Sequence, residues 1–279
     1  MSPSASAPSP RIAFVGGGNM ARSLVGGLLQ AGFPAERITI TDPDAGARER
    51  LARLGAVRVL EDNAAAVADA DLVVLAVKPQ VADAVLRPLA GPLAESGAVL
   101  LSIAAGVTVA MLRRWAGPVP VVRCMPNTPA LVGAGMSALY ATDDVDAAGR
   151  ALATTVLEAG GHALWVEDEA LLDAVTATSG SGPAYFFRVM EAMIESATDL
   201  GLPPDAARTL VLRTALGAAR MALESDVEPG ELRRQVTSPG GTTAAALAAF
   251  EDGDLAGVVR RGMEAAAARS AELARELDR

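Results

Sequence analysis

The stretch "RIAFVGGGNMARSLVGGLLQAG", Arg11–Gly32, combines an apolar run, a glycine cluster and a helical pattern. The run Ile12–Val15 predicts a strand, and apolar residues at helical spacing follow the glycines. Between them lies the spacing Gly16-x-Gly18-x-x-Ala21. Glycine permits a tight strand-to-helix turn and a close approach to a pyrophosphate, and the free N–H groups of the helix start attract the phosphates. The stretch predicts a nucleotide-binding unit, with an ordinary glycine turn as the alternative.

Strands and helices alternate through the rest of the first half. The apolar runs "ITITD", "DLVVLAVKP", "AVLLSIAAGV" and "PVVRCMPNTP" predict strands, "ARERLARLGA" predicts a helix, and "HALWVEDE" predicts a last strand near a sheet edge. This alternation is typical of an α/β fold with a parallel sheet that carries helices on both faces.

Ligands of open parallel sheets bind outside the carboxyl ends of the strands. Two predicted strand ends should therefore border a cofactor. Their residues are Ala76, Val77, Lys78 and Pro79 at one end, and Ala104, Ala105 and Gly106 at the other. Lys78, the only lysine, is a candidate phosphate or ribose contact, with a solvated surface lysine as the alternative.

Asp42 follows the second predicted strand. An acid there accepts hydrogen bonds from the adenosine ribose hydroxyls and repels a 2′-phosphate, which favours NADH. The alternative is a turn-forming aspartate in "TDPDAG". Arg37 and Arg48 are close in sequence and could still receive a phosphate.

Composition limits the other classes of function. The chain of 279 residues can bury a sizeable core, and Gly, Pro and charged residues interrupt its apolar stretches before they reach membrane-spanning length. Residues 1–10 lack the regions of a signal peptide, so we expect a disordered tail and a cytoplasmic protein. The single cysteine, Cys124, excludes an internal disulfide and a cysteine-only zinc site, and we predict no metal site. A net charge of −9 argues against general nucleic-acid binding.

The second half is predicted to be helical, because strand signals vanish after Leu171. We expect a dinucleotide-binding domain over residues 11–168 and a helical domain over residues 169–279. The pattern Asp205–Glu224 is apolar on nearly all sides, and such a helix must be buried. An intimate homodimer would bury it, and a compact monomeric bundle is the alternative.

Two later stretches, "TSGSGPAY" and "VTSPGGTT", place hydroxyls and glycines at predicted helix starts. Free backbone N–H groups at such starts suit a small anion such as a carboxylate. Ordinary helix capping is the alternative.

These motifs occur together in a known family. The stretches "VGGGNMA", "AVKP", "SIAAGV", "VRCMPNTPALVGAG", "SGSGPAYFF" and "VTSPGGTT" have its order and spacing, and the chain resembles pyrroline-5-carboxylate reductases from Arg11 to about Glu272. The resemblance implies a Rossmann-type N-terminal domain, an all-α C-terminal dimerisation domain, and reduction of 1-pyrroline-5-carboxylate to L-proline by NADPH or NADH. It also implies an active site built between the cofactor domain and helices of the dimer, and homodimers that can assemble into a decamer.

The resemblance also assigns site residues. The implied cofactor contacts are Gly16, Gly17, Gly18, Asn19, Met20, Asn63, Ala76, Val77, Lys78, Pro79, Ala104, Ala105 and Gly106, with Asp42 at the position that discriminates the 2′-phosphate. The implied substrate contacts are Asp226, Ser238, Gly240, Gly241, Thr242 and Thr243. Several relatives carry a serine or a basic residue near this position, so Asp42 departs from them and counts against a preference for NADPH, while the choice between NADPH and NADH stays open.

A mechanism follows as a hypothesis. The backbone of "SPGGTT" would bind the carboxylate of the substrate, and Thr243 would hydrogen-bond the ring nitrogen, as proton donor or as holder of a donating water. A protonated cyclic imine accepts hydride readily, so positioning and one weak donor suffice. Asn127 and Thr128 could orient the nicotinamide amide or form a purely structural turn.

The remaining conspicuous residues are interpreted as structural: His162 at the start of the edge strand, Cys124 as a small buried hydrophobe, and Trp115 and Trp165 as packing groups.

Three other functions compete with this reading. A hydroxyacid dehydrogenase of similar architecture would use a lysine on the first helix of the helical domain, where this chain has Arg188 and no lysine. A reductase of another cyclic imine stays possible because the sequence does not measure pocket size. A dinucleotide-binding regulator would have no reason to carry "VTSPGGTT".

Overall fold

The computed structural model of the protein describes residues 9–278. The predicted disordered tail, residues 1–10, lies outside the described residues except for Ser9 and Pro10, which have no regular secondary structure. The strands are β1 (Ile12–Val15), β2 (Ile38–Thr41), β3 (Arg58–Leu60), β4 (Leu72–Leu75), β5 (Val99–Ser102), β6 (Val121–Met125), β7 (Gly135–Ala141) and β8 (Gly161–Trp165).

Helices connect most of the strands, and in residues 9–278 all regular elements after β8 are helices. They are α1 (Asn19–Gln30), α2 (Ala45–Ala52), α3 (Asn63–Val67), α4 (Ala82–Leu86), α5 (Ala90–Ser96), α6 (Val109–Ala116), α7 (Ala147–Glu158), α8 (Leu171–Val175), α9 (Gly182–Asp199), α10 (Pro204–Glu224), α11 (Pro229–Gln235), α12 (Thr242–Asp252) and α13 (Leu255–Leu277). A π-helical turn, Thr176–Gly180, follows α8, and short 3₁₀ turns lie at Ala35–Arg37, Pro79–Val81, Arg87–Leu89 and Thr128–Val132. Within the described residues no strand follows Leu171, as predicted.

The eight strands form one sheet in the order β3-β2-β1-β4-β5-β6-β7-β8. The first six strands are parallel, and the strand order reverses between β1 and β4, whose carboxyl ends are Val15 and Leu75. A reversal of this kind opens a crevice at the carboxyl ends, where open α/β sheets bind ligands. The α/β Rossmann-type architecture predicted from the sequence is confirmed.

The last two strands depart from the predicted parallel sheet. β7 pairs antiparallel with β6, and β8 then pairs parallel with β7. The connection from Met125 to Gly135 contains only a 3₁₀ turn, whereas a parallel crossover needs about a dozen residues or more. The short connection therefore reverses the chain. β8 ends the sheet, as predicted for "HALWVEDE".

The core lies on both faces of the sheet, because successive side chains of a strand point to opposite faces. Ile12 and Phe14 of β1 belong to one buried cluster, and Ala13 and Val15 belong to the other. Such two-sided burial explains the continuous apolar runs of the parallel strands.

The chain forms two compact units. The first ends at Ser181 and also includes the chain from Ala266 onward, and the second is Gly182–Ala265. In the first unit the side chain of Asn127 donates a hydrogen bond to the carbonyl of Ser179 (3.0 Å). Through such contacts the first compact unit extends beyond residue 168. The predicted domain division between residues 168 and 169 remains a prediction.

The helices of the second unit expose apolar side chains in the single chain. Phe186, Val189 and Met193 on α9, and Leu210 and Leu216 on α10, are between 47% and 69% exposed. Exposed apolar surface of this extent marks an interaction site. None of the helices within residues 9–278 combines the length and apolar character needed to cross a bilayer.

Candidate functional site

The turn between β1 and α1 requires its first glycine. Gly16 has φ +101°, a conformation that side chains other than glycine rarely adopt. Its N–H donates to the carbonyl of Thr41 on β2 (3.0 Å), and a Cβ would lie 2.6 Å from the carbonyl oxygen of Ala76. Gly16 therefore brings together the ends of β1, β2 and β4 at the reversal of strand order.

The next two glycines have different neighbours. A Cβ on Gly17 would collide with the side chain of Leu51, whereas a Cβ on Gly18 would meet nothing within 4 Å. Gly18 is the N-cap of α1 and supplies no side-chain cap, and the first turn carries no acidic residue. The first helical hydrogen bond runs from Arg22 N to Gly18 O (3.0 Å), which leaves the N–H groups before it without helical acceptors.

This helix start fits a dinucleotide. Asn19 and Met20 stand in the open first turn of α1, and Ala21 is fully buried, which permits close packing of the helix on the sheet. Open space above Gly18, free N–H groups and the positive end of a twelve-residue helix together suit a pyrophosphate.

Asp42 is tied into the same turn. Its Oδ2 accepts a hydrogen bond from Gly17 N (3.0 Å), and its Oδ1 accepts one from Asp44 N (2.9 Å). Asp42 therefore does form the turn, as the alternative interpretation of this residue predicted. Each carboxylate oxygen can accept a second hydrogen bond, so the ribose interpretation stands beside it.

The other predicted cofactor residues differ in exposure. Asn63 is half-buried at the start of α3 and Lys78 is exposed, and within residues 9–278 neither side chain makes a hydrogen bond or ion pair. Ala76, Val77 and Pro79 are half-buried at the end of β4.

The loop after β5 is more enclosed than expected. Ala104 and Gly106 are buried and only Ala105 is exposed. A Cβ on Gly106 would meet Leu277 Cδ1 at 3.2 Å, so the end of α13 packs on this glycine. No sequence pattern predicts this contact, because the two residues lie far apart in the chain.

Asn127 forms a structural turn. Its Nδ2 donates to Ser179 O (3.0 Å) and its Oδ1 accepts from Met136 N (2.9 Å), and the residue is 8% exposed. Both ends of the amide are therefore engaged, which favours the structural alternative over the nicotinamide contact.

The stretch "VTSPGGTT" leads into an uncapped helix. Gly240 has φ +69°, and Gly241 N donates to Ser238 O (3.0 Å), which closes the turn. Gly241 is the N-cap of α12 without a side-chain cap. The first helical bond runs from Ala245 N to Gly241 O (3.1 Å), so the N–H groups of Thr242 and Thr243 precede it.

The hydroxyls of this loop are also available. Within the described part of the chain, the side chains of Ser238, Thr242 and Thr243 have no hydrogen-bond partner, and all three residues are exposed. Asp226 is an exposed residue of the loop between α10 and α11. Ordinary capping would use a hydroxyl on the helix. Here Thr237 Oγ1 donates to Arg233 O (2.6 Å), but among the described residues the hydroxyls of Ser238, Thr242 and Thr243 stay free, as do the N–H groups of Thr242 and Thr243.

The other predicted helix start, "TSGSGPAY", differs from the expectation. The π-helical turn continues α8 directly towards α9. The hydroxyls of Thr178 and Ser179 donate to carbonyls four residues earlier, and Ser181 N donates to Thr176 O (2.8 Å). Because these groups have partners in the helix, the stretch does not offer the free start predicted for it.

The residues interpreted as structural have the expected surroundings. Cys124 is buried, and burial raises the pKa of its thiol. Trp115 is 6% exposed, and Trp165 donates from Nε1 to Thr154 Oγ1 (3.1 Å) beneath the guanidinium of Arg150. His162 is exposed on the edge strand.

Comparison with known proteins identifies both parts of the chain. Residues 169–273 match the family model for pyrroline-5-carboxylate reductase dimerisation, and residues 11–106 match the model for NADP oxidoreductase, coenzyme F420-dependent. The chain is 54% identical to a pyrroline-5-carboxylate reductase of Pseudomonas aeruginosa over 269 residues, 96% of this chain and 98% of that protein.

Solved structures agree with this result. A pyrroline-5-carboxylate reductase from Coxiella burnetii superposes with a TM-score of 0.92 at 41% identity, covering 95% of this chain and 99% of that one. A Plasmodium falciparum pyrroline carboxylate reductase with NADP bound has a TM-score of 0.83 at 28% identity, covering 95% and 98%. The glycine turn at β1, the uncapped start of α12 and similarity over nearly the whole length lead to one conclusion: the chain belongs to the pyrroline-5-carboxylate reductase family.

Proposed function

We propose that this protein reduces 1-pyrroline-5-carboxylate to L-proline with NADH or NADPH, as the last step of proline biosynthesis. The observation that carries the proposal is the start of α12, where free N–H groups and free hydroxyls lie together. The proposed substrate is a small ring with one carboxylate and one C=N bond. The loop offers free N–H groups for the carboxylate and free hydroxyls for the ring nitrogen.

The coenzyme is proposed to bind at the carboxyl ends of the strands in the first unit. The turn Gly16, Gly17 and Gly18 with Asn19 and Met20 would hold the pyrophosphate, and Asp42 would accept the ribose hydroxyls. Asn63, Ala76, Val77, Lys78, Pro79, Ala104, Ala105 and Gly106 are proposed to complete this site. When bound, the nicotinamide coenzyme supplies the hydride that reduces the C=N bond.

The substrate is proposed to bind through its carboxylate to the N–H groups at the start of α12. The positive end of the helix dipole favours an anion there, and Gly240 and Gly241 keep side chains away from it. Ser238 and Thr242 would donate hydroxyl hydrogen bonds, and Asp226 is proposed as a further substrate contact.

Thr243 is proposed to act on the ring nitrogen. Its hydroxyl would donate a proton or hold the water that donates it, which keeps the iminium form in place until reduction gives the amine. A weak donor suffices because a cyclic imine is readily protonated in water. The exposure of Thr243 in the single chain leaves its hydroxyl open to a substrate.

Assembly and location extend the proposal. The chain contains the dimerisation domain of its family, and we propose that the exposed apolar faces of α9 and α10 are buried in a homodimer. The decamer and the cytoplasmic location stay predictions.

The test is oxidation of NADH and of NADPH by the purified protein with 1-pyrroline-5-carboxylate, followed as loss of coenzyme absorbance. Turnover that yields L-proline is expected. Coenzyme binding without turnover would contradict the proposal and favour a dinucleotide-binding regulator, and turnover only with another cyclic imine would change the substrate.

A further inference from the structure

One ion pair lies where the adenosine end of a dinucleotide is expected. Thr41 of β2 pairs with Leu60 of β3, and Asp42 N donates to Leu60 O (3.3 Å). Glu61, the residue after Leu60, therefore lies beside Asp42. Arg48 NH2 lies 2.9 Å from Glu61 Oε2. Nothing in the local sequence pattern around Glu61 places it beside the second strand.

Arg48 is already occupied by acceptors. Its NH1 donates to the carbonyl of Asp42 (2.8 Å) and to the carbonyl of Pro43 (2.9 Å), while NH2 pairs with Glu61. The Arg48 side chain is 24% exposed and the Glu61 side chain is 71% exposed. The guanidinium is therefore held from two sides, and the carboxylate that neutralises it faces solvent.

Among the other cations of this region, Arg50 is the near one, and its NH2 lies 3.9 Å from Asp44 Oδ1. The remaining three lie too far away to replace Arg48. Arg37 precedes β2, and Asp42 follows it, so about 15 Å of extended strand separates the two positions. Arg58 begins β3 at the same remote end, and Arg53 lies at the far end of α2. Arg37 and Arg58 line a cavity there, together with Arg11.

We propose that Glu61 is a coenzyme-selectivity residue, which works by holding Arg48 and by presenting its own carboxylate, so that the protein favours NADH over NADPH. The proposal rests on the proposed coenzyme site. A 2′-phosphate carries a charge of about −2, and here it would approach two carboxylates, Asp42 and Glu61, and one guanidinium that is already paired. Ribose hydroxyls, in contrast, can donate to Asp42.

The test measures coenzyme binding without substrate. Isothermal titration calorimetry gives the dissociation constants of NADH and NADPH, which differ only in the 2′-phosphate, for the wild type and for Glu61→Gln. The wild type should bind NADH more tightly. Glu61→Gln should tighten NADPH binding about tenfold, because one repulsive charge is lost and Arg48 is released, and should leave NADH binding unchanged.

Two controls make the result specific. Glu36→Gln removes the same charge from an exposed residue before β2, at the opposite end of that strand, and should change neither constant. The double variant Glu61→Gln/Arg48→Gln should lose most of the gain for NADPH if Arg48 is the group that is released. Its NADH affinity reports whether the site is still folded.

The proposal is overturned if the wild type binds NADPH at least as tightly as NADH, or if Glu61→Gln changes both constants equally. These outcomes are independent of catalysis. If the protein discriminates between the coenzymes but does not turn over the imine, the proposed reaction fails and this inference stands. If the protein turns over the imine and Glu61→Gln leaves the coenzyme preference unchanged, this inference fails and the proposed reaction stands.

Discussion

At the scale of single residues, the proposed chemistry depends on the Thr243 hydroxyl. Thr243→Val keeps the shape of the side chain and removes the hydrogen-bond donor. We expect kcat to fall about ten- to hundredfold, at or below the usual contribution of a general acid. The measurement is steady-state oxidation of coenzyme with 1-pyrroline-5-carboxylate at saturating substrate.

Two variants control this result. Thr243→Ser restores a hydroxyl and should recover most of the activity, and Thr155→Val makes the same change on the exposed face of α7, where the hydroxyl bonds only a carbonyl of its own helix. An unchanged kcat in Thr243→Val would refute the assigned role.

Cys124 gives a prediction about pH. Burial raises the pKa of its thiol above the ordinary value of 9.0. Above that pH the unfolded chain releases the thiol proton while the folded chain keeps it, so the free energy of unfolding falls as pH rises, by about 1.4 kcal/mol per pH unit from this group.

The check is urea unfolding of the wild type and of Cys124→Ala between pH 8 and pH 10. The variant should lose stability less steeply than the wild type over this range, because other titrating groups are common to both. Equal slopes would contradict the assignment.

At the scale of elements, two glycines of the turn between β1 and α1 should affect different properties, Gly16 the stability of the fold and Gly18 the binding of coenzyme. Gly16→Ala forces a side chain into a positive φ and against the carbonyl oxygen of Ala76. We expect a loss of roughly 1–3 kcal/mol and a lower Tm. Gly18→Ala places its methyl group in open space, so Tm should stay close to that of the wild type.

Coenzyme binding should show the opposite sensitivity at Gly18. A methyl group where a pyrophosphate approaches the backbone should weaken NADH binding about tenfold or more, a cost of at least 1.4 kcal/mol. Thermal unfolding and calorimetric titration of the two variants measure both effects. Gly18→Ala with wild-type affinity would contradict the proposed phosphate site.

The elements also explain what the sequence could predict. The runs that became β1, β2, β4, β5 and β6 are buried on both faces and therefore read as continuous apolar stretches. β3 has only three residues and an exposed arginine, and β7 is rich in small residues, so neither gave a signal.

The candidate site also has features that the local sequence predicts and features that it does not. Local backbone chemistry marked the turns at Gly16 and Gly240, because positive φ and uncapped helix starts depend on adjacent residues. The contact of Leu277 with Gly106, the ion pair of Arg48 with Glu61 and the engaged amide of Asn127 depend on the tertiary fold. No pattern in the sequence predicts contacts of this kind.

At the scale of the whole molecule, the second unit leaves apolar helix faces exposed. Val189 on α9 is 54% exposed in the single chain. If a second copy covers it, Val189→Glu would bury a charge without a partner, which proteins avoid at a cost of several kcal/mol. We expect a dimer or a larger assembly for the wild type, and a smaller mass for the variant.

Light scattering coupled to size-exclusion chromatography at micromolar concentration measures these masses. Leu164→Glu is the control, since it places a glutamate on an exposed leucine of β8 in the first unit and should leave the mass unchanged. A monomeric wild type would contradict the proposed homodimer.

The proposed reaction of the whole protein is reduction of the C=N bond of 1-pyrroline-5-carboxylate. The most direct measurement uses coenzyme deuterated at the transferable position of the nicotinamide, with mass spectrometry of the product. We expect L-proline that carries one deuterium on the ring carbon that had the C=N bond. Proline without deuterium, or no proline while the protein still binds coenzyme, would contradict it.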